Sequence, residues 1–254
     1  MAAPPFTGVG VALVTLFDDT GALETPATAE LAARLVDLGV RAVVVAGSTG
    51  EAATLDRTER IELLDAVRAA VTGVPVIAGT GAPSAHQAAR FTRDACDHGA
   101  DAVLVLSPPG DADQRAYYDT VRSVAGRCPV LAYHFPRVSS PGIPVGTLPE
   151  LPIAGLKDSS GDARRLLQEL TTWNRPLYTG AASLLALGGP AGCAGAILSL
   201  ANVDPEHCSA AFDGDLDAQR ALAEADVATH ERFPLVLKER VAKRFGTSTT
   251  CRAV

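Results

Sequence analysis

Lys157 closes a short apolar run, Ile153-Ala154-Gly155-Leu156, and Asp158-Ser159-Ser160-Gly161-Asp162 follows at once. The run has the composition of a strand and the polar stretch that of a turn ending in a helix cap, so the lysine stands where a strand stops. An amine at such a position can be buried. Burial disfavours the ammonium form, and lowering a lysine pKa from about 10.4 to about 7 takes roughly 4 to 5 kcal/mol of differential stabilisation, within the range of an apolar pocket. A neutral amine attacks carbonyl carbon and forms Schiff bases. A lone lysine is more often a surface residue, so the chemistry rests on what else the chain brings to the same place.

Two further segments have suitable chemistry. Gly47-Ser48-Thr49-Gly50-Glu51 follows the apolar run that ends at Ala46. Two glycines around two hydroxyl residues suit a tight turn whose backbone N–H groups converge on an anion, with the Ser48 and Thr49 hydroxyls as extra donors. Charge-assisted bonds of this kind give a carboxylate roughly 1.5 to 3 kcal/mol each. The spacing is not that of a P-loop. Tyr133-His134-Phe135-Pro136 ends another apolar run, and a tyrosine there can exchange a proton with a substrate held by a neighbouring strand. Side chains alternate along a strand, so His134 is expected to face away from Tyr133 as a structural residue. Gly79-Thr80-Gly81, Gly180-Ala181-Ala182 and Gly188-Gly189-Pro190-Ala191-Gly192 read as backbone geometry and close packing.

These segments need a scaffold that gathers strand ends. Short runs rich in Val, Ile and Leu alternate with amphipathic stretches along the chain. Strands are expected at Val9 to Leu16, Ala42 to Ala46, Val74 to Ala78, Ala102 to Leu106, Val130 to Tyr133, Ile153 to Lys157, Leu177 to Thr179 and Ala194 to Leu198. Helices are expected at Ala29 to Leu38, Thr58 to Val71, Ala85 to His98, Arg115 to Ala125 and Ala163 to Thr172. Asp56 with Glu59 has capping-box spacing, and Asp162 is placed as an N-cap. The strand runs are nearly continuous in apolar character, as in parallel strands covered on both faces. At 254 residues the chain matches the roughly 250 that a (β/α)8 TIM barrel needs, and in that fold chemistry gathers at the C-terminal strand ends. The barrel is assigned to residues 1–202. A helical appendix at 203–254, with helices at Pro205 to Phe212, Asp215 to Glu231 and Leu235 to Phe245, packs on it within the same domain.

Composition excludes several function classes. The net charge is −7 with dispersed basic residues, which argues against nucleic acid or an anionic membrane as partner. No apolar stretch approaches the roughly 18 residues of a spanning helix. Five cysteines are scattered singly, with no spacing for zinc or a disulfide framework. The N-terminus, Met1-Ala2-Ala3-Pro4-Pro5, lacks a basic leader region, and a cytoplasmic protein without a metal is expected.

Taken together, Gly8 to Thr15, Gly47-Ser48-Thr49-Gly50-Glu51, Gly79-Thr80-Gly81, Tyr133-His134-Phe135-Pro136, Gly155-Leu156-Lys157-Asp158 and Ala201-Asn202-Val203 resemble the dihydrodipicolinate synthase and N-acetylneuraminate lyase family of pyruvate-dependent class I aldolases. The resemblance runs in order along nearly the whole chain. It implies a TIM barrel, a homodimer or homotetramer, and no cofactor beyond a covalent imine. It also implies that Lys157 forms the Schiff base, that Tyr133 shuttles a proton, that Ser48, Thr49 and Gly47 bind the pyruvate carboxylate, and that Ile197 gives a backbone contact near the imine.

The chain departs from the family pattern at three places. Pro108-Pro109-Gly110 replaces Pro-Tyr-Tyr, so the tyrosine that relays protons across the family's dimer interface is missing. Tyr117 and Tyr118 fall on the next helix instead. Val138 occupies the position of the arginine that binds the second substrate's carboxylate in the synthases, with Arg137 one residue early. Gly180-Ala181-Ala182 resembles the small-residue version found in 4-hydroxy-2-oxoglutarate aldolases. The expected activity is a carbon–carbon lyase acting on pyruvate and an aldehyde, preferably through a 4-hydroxy-2-oxo acid. Condensation of pyruvate with aspartate semialdehyde is the nearest alternative, and a weakly catalytic 2-oxo-acid sensor is the alternative of another class.

Overall fold

The structure is a computed structural model and describes residues 3–253, so Met1 and Ala2 of the N-terminal reading and Val254 of the C-terminal segment lie outside it. Eight parallel strands close into a barrel in sequence order among the described residues. They are β1 (Gly8–Ala12), β2 (Val43–Val45), β3 (Val76–Gly79), β4 (Ala102–Leu106), β5 (Val130–His134), β6 (Gly155–Asp158), β7 (Leu177–Thr179) and β8 (Gly195–Leu198). The helices between them are α1 (Thr25–Asp37), α2 (Arg57–Ala70), α3 (Ala85–Asp97), α4 (Gln114–Val124), α5 (Ala163–Thr172) and α6 (Leu185–Ala191). Three more, α7 (Pro205–Phe212), α8 (Leu216–Glu231) and α9 (Leu235–Phe245), follow the last strand.

Alternation along each strand divides the apolar side chains between two cores. Ala12, Ala42, Val44, Ile77, Leu104, Leu131, Tyr133, Tyr178 and Ile197 fill the barrel interior. Val11, Val43, Val45, Val103 and Val105 face the helices. Burying one such Val, Leu or Ile side chain contributes roughly 1.5 to 3 kcal/mol, and because both faces are covered the strands read as unbroken apolar runs. Phe6 plugs the N-terminal end, stacked on Tyr178 at 4.6 Å between ring centroids, and its carbonyl accepts the Tyr178 hydroxyl at 2.9 Å.

The capping box at α2 is formed: the Glu59 N–H donates to Asp56 Oδ1 at 2.9 Å and the Asp56 N–H donates to Glu59 Oε2 at 3.0 Å. Asp162 caps α5 by accepting from the Arg164 and Arg165 N–H groups at 2.8 and 3.2 Å. Two local expectations need correction. β1 stops at Ala12 rather than Leu16, because the chain then leaves the ladder: the Val14 N–H donates to Asn202 Oδ1 and the Leu16 N–H to Thr28 Oγ1. Leu13 to Phe17 stay fully buried there, so hydropathy alone cannot tell this segment from a strand. α1 begins at Thr25, not Ala29, since Pro26 suits a first helical turn. The glycine cluster at 188–192, read as backbone geometry and close packing, lies in α6 and its cap. An added Cβ at Gly189 would lie 1.8 Å from the Phe212 carbonyl oxygen, so glycine lets α6 and α7 approach.

Candidate active site

Strand register brings two of the expected residues side by side. Tyr133 of β5 pairs with Lys157 of β6, both on the interior face at the C-terminal end. The Lys157 amine lies 4.3 Å from the centroid of the Tyr133 ring, and Lys157 is only 4 % exposed. Two effects oppose each other here. An ammonium over a ring face gains roughly 0.5 to 2 kcal/mol, whereas loss of its hydration shell costs several. Burial wins, and the Lys157 pKa falls from the ordinary 10.5 to about 7.

Tyr133 is displaced in the opposite sense. Burial pushes its hydroxyl up to about 12, and the neighbouring Ser159 and Ser48 hydroxyls pull back part of that rise. The phenol is therefore protonated at neutral pH, with two hydroxyl groups beside it able to pass a proton on. Ser48 stands in the turn after β2, where the Glu51 N–H donates to the Ser48 carbonyl and the Ala52 N–H to that of Gly47, both at 3.2 Å. Thr49 is buried in the same turn. Ile197 belongs to the barrel wall: Lys157 is level with Tyr178, and Tyr178 with Gly195, so Ile197 lies two residues nearer the C-terminal end, two strands from Lys157. Lys157, Tyr133, Ser48 and Ser159 thus form one group. Gly47 and Thr49 join it through the turn, and Ile197 through the wall.

Sequence reasoning passed over Ser159, although a residue two positions past Lys157 shares its strand face. It also passed over the support behind the site. Asp158 faces outward, accepts from the Ser160 N–H at 2.6 Å and lies 3.3 Å from Arg165 Nε; Arg165 also sits 2.7 Å from buried Glu169. Burial and the neighbouring Asp158 push Glu169 up to about 8. His134 faces this outer network, as expected from alternation. Its Nδ1 accepts from the Ile143 N–H at 2.8 Å, and burial with the Arg165 charge pushes its pKa down to about 4, so it is a neutral acceptor fixing a loop. Tyr117 and Tyr118 are spent on backbone carbonyls, the first donating to Ala82 at 2.8 Å and the second to Val105 at 3.0 Å.

Gly180, first read as generic packing, has a definite partner. A Cβ there would fall 1.8 Å from Ser159 Oγ and 2.8 Å from Lys157 Cε. Gly180→Ala is expected to push the amine out of line and to lower kcat by about 10- to 100-fold, since small misplacements at a reacting group cost that much. Circular dichroism and steady-state rates check this: a folded variant with undiminished kcat shows that the glycine does not set the position of Lys157.

At the second departure from the family pattern, the Phe135 carbonyl accepts from the Val138 and Ser139 N–H groups. This turn leaves Val138 56 % exposed and Arg137 exposed beside it. Phe135 stacks on Tyr133 at 5.7 Å and packs with Leu106 against the interior core. At the first, Gly110 takes a left-handed φ of 70° and its N–H donates to the Ser140 carbonyl at 2.7 Å. No group of three or more His, Cys, Asp or Glu side chains among the described residues is arranged to hold a metal ion. No helix among them is long and apolar enough to cross a membrane.

Both the sequence and the barrel have counterparts among known proteins. Residues 5–244 match the model of the dihydrodipicolinate synthetase family. An uncharacterized DapA-like lyase of Halobacterium salinarum is 36 % identical over 240 residues, covering 91 % of this chain and 79 % of its own length. A 4-hydroxy-tetrahydrodipicolinate synthase of Pseudomonas aeruginosa is 36 % identical over 242 residues, covering 88 % and 82 %. Among solved structures, the chloride-inhibited dihydrodipicolinate synthase of Acinetobacter baumannii in complex with pyruvate superposes with a TM-score of 0.89 at 27 % identity, over 98 % of this chain and 92 % of that one. With a match over nearly its full length and the same barrel, this chain belongs to the dihydrodipicolinate synthetase family and is a carbon–carbon lyase.

Proposed function

We propose that the protein is a class I aldolase in which Lys157 forms an imine with pyruvate or a 4-hydroxy-2-oxo acid. The observation that carries this reading is the enclosed Lys157 amine, with a pKa of about 7, against the Tyr133 ring. The amine adds to the ketone carbon, and Tyr133 protonates the departing hydroxyl so that water leaves. The iminium then accepts the electron pair of the bond between carbons 3 and 4, while the phenolate takes the proton of the 4-hydroxyl. An aldehyde departs, and protonation and hydrolysis of the enamine release pyruvate and restore the amine. Ser48, Thr49 and the backbone of the Gly47 turn hold the carboxylate, and Ile197 lines the wall two strands from Lys157. The imine supplies the electron sink, so the reaction needs no organic cofactor. Ser48 and Ser159 flank the Tyr133 hydroxyl and take over the relay that family members draw from the tyrosine matched here by Gly110. The family's homodimeric or homotetrameric assembly is carried over as part of this proposal.

The aldehyde is the finer question. Phe135, Leu106 and Val138 make the rim beside Tyr133 apolar, and a carboxylate placed there without a partner loses several kcal/mol of hydration. We therefore assign an aldehyde with an uncharged end. The second reading, condensation of pyruvate with aspartate semialdehyde, is favoured by the activity named for the Pseudomonas aeruginosa relative and by exposed Arg137. Cleavage of 4-hydroxy-2-oxo acids with uncharged tails is expected to exceed the semialdehyde condensation in kcat/KM by about 10-fold or more. Val138→Arg is expected to reverse the preference. A wild-type enzyme that prefers the semialdehyde assigns the chain to dihydrodipicolinate synthesis.

A further inference from the structure

The C-terminal segment returns to the mouth of the barrel and ends on the turn that carries Ser48. α9 stops at Gly246, which takes a left-handed φ of 73°. From there the chain runs back until Glu51, the last residue of the Gly47 turn, meets it. The Glu51 carboxylate is buried. Its Oε1 lies 2.5 Å from Nζ of Lys238, which is itself fully buried, and its Oε2 accepts from the Arg252 and Ala253 N–H groups at 2.7 Å each. Lys238 also donates to the Thr250 carbonyl at 2.6 Å. The Arg252 side chain donates to the Gly21 carbonyl at 2.6 Å and to both oxygens of Glu59 at 2.7 and 2.9 Å. Lys238 and Arg252 both stand over the Phe17 ring, at 4.5 and 4.3 Å. The tail therefore joins the loop after β1, the turn after β2 and the start of α2.

We propose that residues 250–253, acting through Glu51, are a positioning clamp that holds the Gly47–Glu51 turn in its carboxylate-binding form. The proposal rests on the reading that Ser48 and Thr49 bind the carboxylate of pyruvate. Glu51 has a φ of 54°, a left-handed conformation that a residue with a side chain keeps only where its surroundings impose it. Its carboxylate is the group those surroundings grip, and its N–H donates to the Ser48 carbonyl. Removing the tail takes two donors from a buried carboxylate and one acceptor from a buried ammonium, and groups left unmatched in this way rearrange towards water. The strained residue relaxes and the backbone of the turn loosens its hold on the bound carboxylate, while Ser159 keeps its place beside Tyr133. α9 has its own hold on the core through Leu237 and Val241, so the tail can be changed without removing the helix.

The test uses Arg252→Ala, a chain ending at Thr249, and Arg244→Ala as control, which breaks the Arg244–Glu206 pair between α9 and α7. Borohydride trapping on Lys157 is measured against pyruvate concentration, together with KM, kcat and Tm. Arg252→Ala and the shortened chain are expected to raise the half-saturating pyruvate concentration about tenfold while kcat falls less than about threefold, the pattern of lost ground-state binding. Arg252→Lys recovers part of the affinity, and Arg244→Ala keeps wild-type values. Unchanged half-saturation in folded Arg252→Ala, or an equal rise in Arg244→Ala, overturns the clamp. If the shortened chain does not fold, Arg252→Ala decides alone. Absence of trapping in the wild-type chain overturns instead the pyruvate reading on which the clamp rests.

Discussion

Lys157→Ala is expected to abolish borohydride-dependent attachment of pyruvate and to lower turnover by about 10⁴- to 10⁶-fold, the size of loss seen when an enzyme's covalent nucleophile is removed. The reason is local. Lys238, the other buried lysine, has its amine already bound to Glu51 and the Thr250 carbonyl, so it is not available to a substrate. The pH dependence of trapping in the wild type gives a second check. Only the neutral amine attacks, and burial lowers the Lys157 pKa from 10.5 to about 7. The initial rate should be near its plateau above pH 8, half-maximal near pH 7, and then fall about tenfold for each further unit of acidification. An ordinary surface lysine would show a rate still climbing at pH 10. A profile of that kind, or a label recovered on another residue, removes Lys157 from the role.

The difference between what could be read in the residues and what could not follows the range of the interactions. Lys157 and Tyr133 were legible because each ends an apolar run, and the barrel puts such ends together. The Asp56 and Asp162 caps were legible because a cap acts over three residues. Ser159 required only the two-residue period of a strand, applied one step past the lysine. The Asp158, Arg165 and Glu169 network was hidden because Arg165 and Glu169 stand four apart on a helix, a spacing shared by any solvated charged pair. Glu51 and Lys238 are 187 positions apart, and nothing local in either segment announces the other. Leu13 to Phe17 misled for a different reason, since burial outside the ladder leaves the same apolar signature as burial within it.

Tyr133→Phe tests the proton path without disturbing the amine. The ring contacts survive, because stacking on Phe135 at 5.7 Å and cover over the Lys157 amine at 4.3 Å need only the aromatic carbons. What goes is the hydroxyl that burial keeps protonated, beside Ser48 and Ser159. Turnover is expected to fall by about 10² to 10⁴, the usual contribution of a positioned acid or base, while KM for the 2-oxo acid changes little. Trapping with pyruvate should still label Lys157 to completion, though more slowly, because water can protonate the departing hydroxyl given time. In the proposed mechanism the carbon–carbon step has no such substitute: the 4-hydroxyl must lose its proton as the bond breaks, and the Tyr133 phenolate is the base assigned to it. A Tyr133→Phe enzyme that retains a third or more of wild-type kcat places the base elsewhere, and Ser159→Ala and Ser48→Ala then become the variants that locate it.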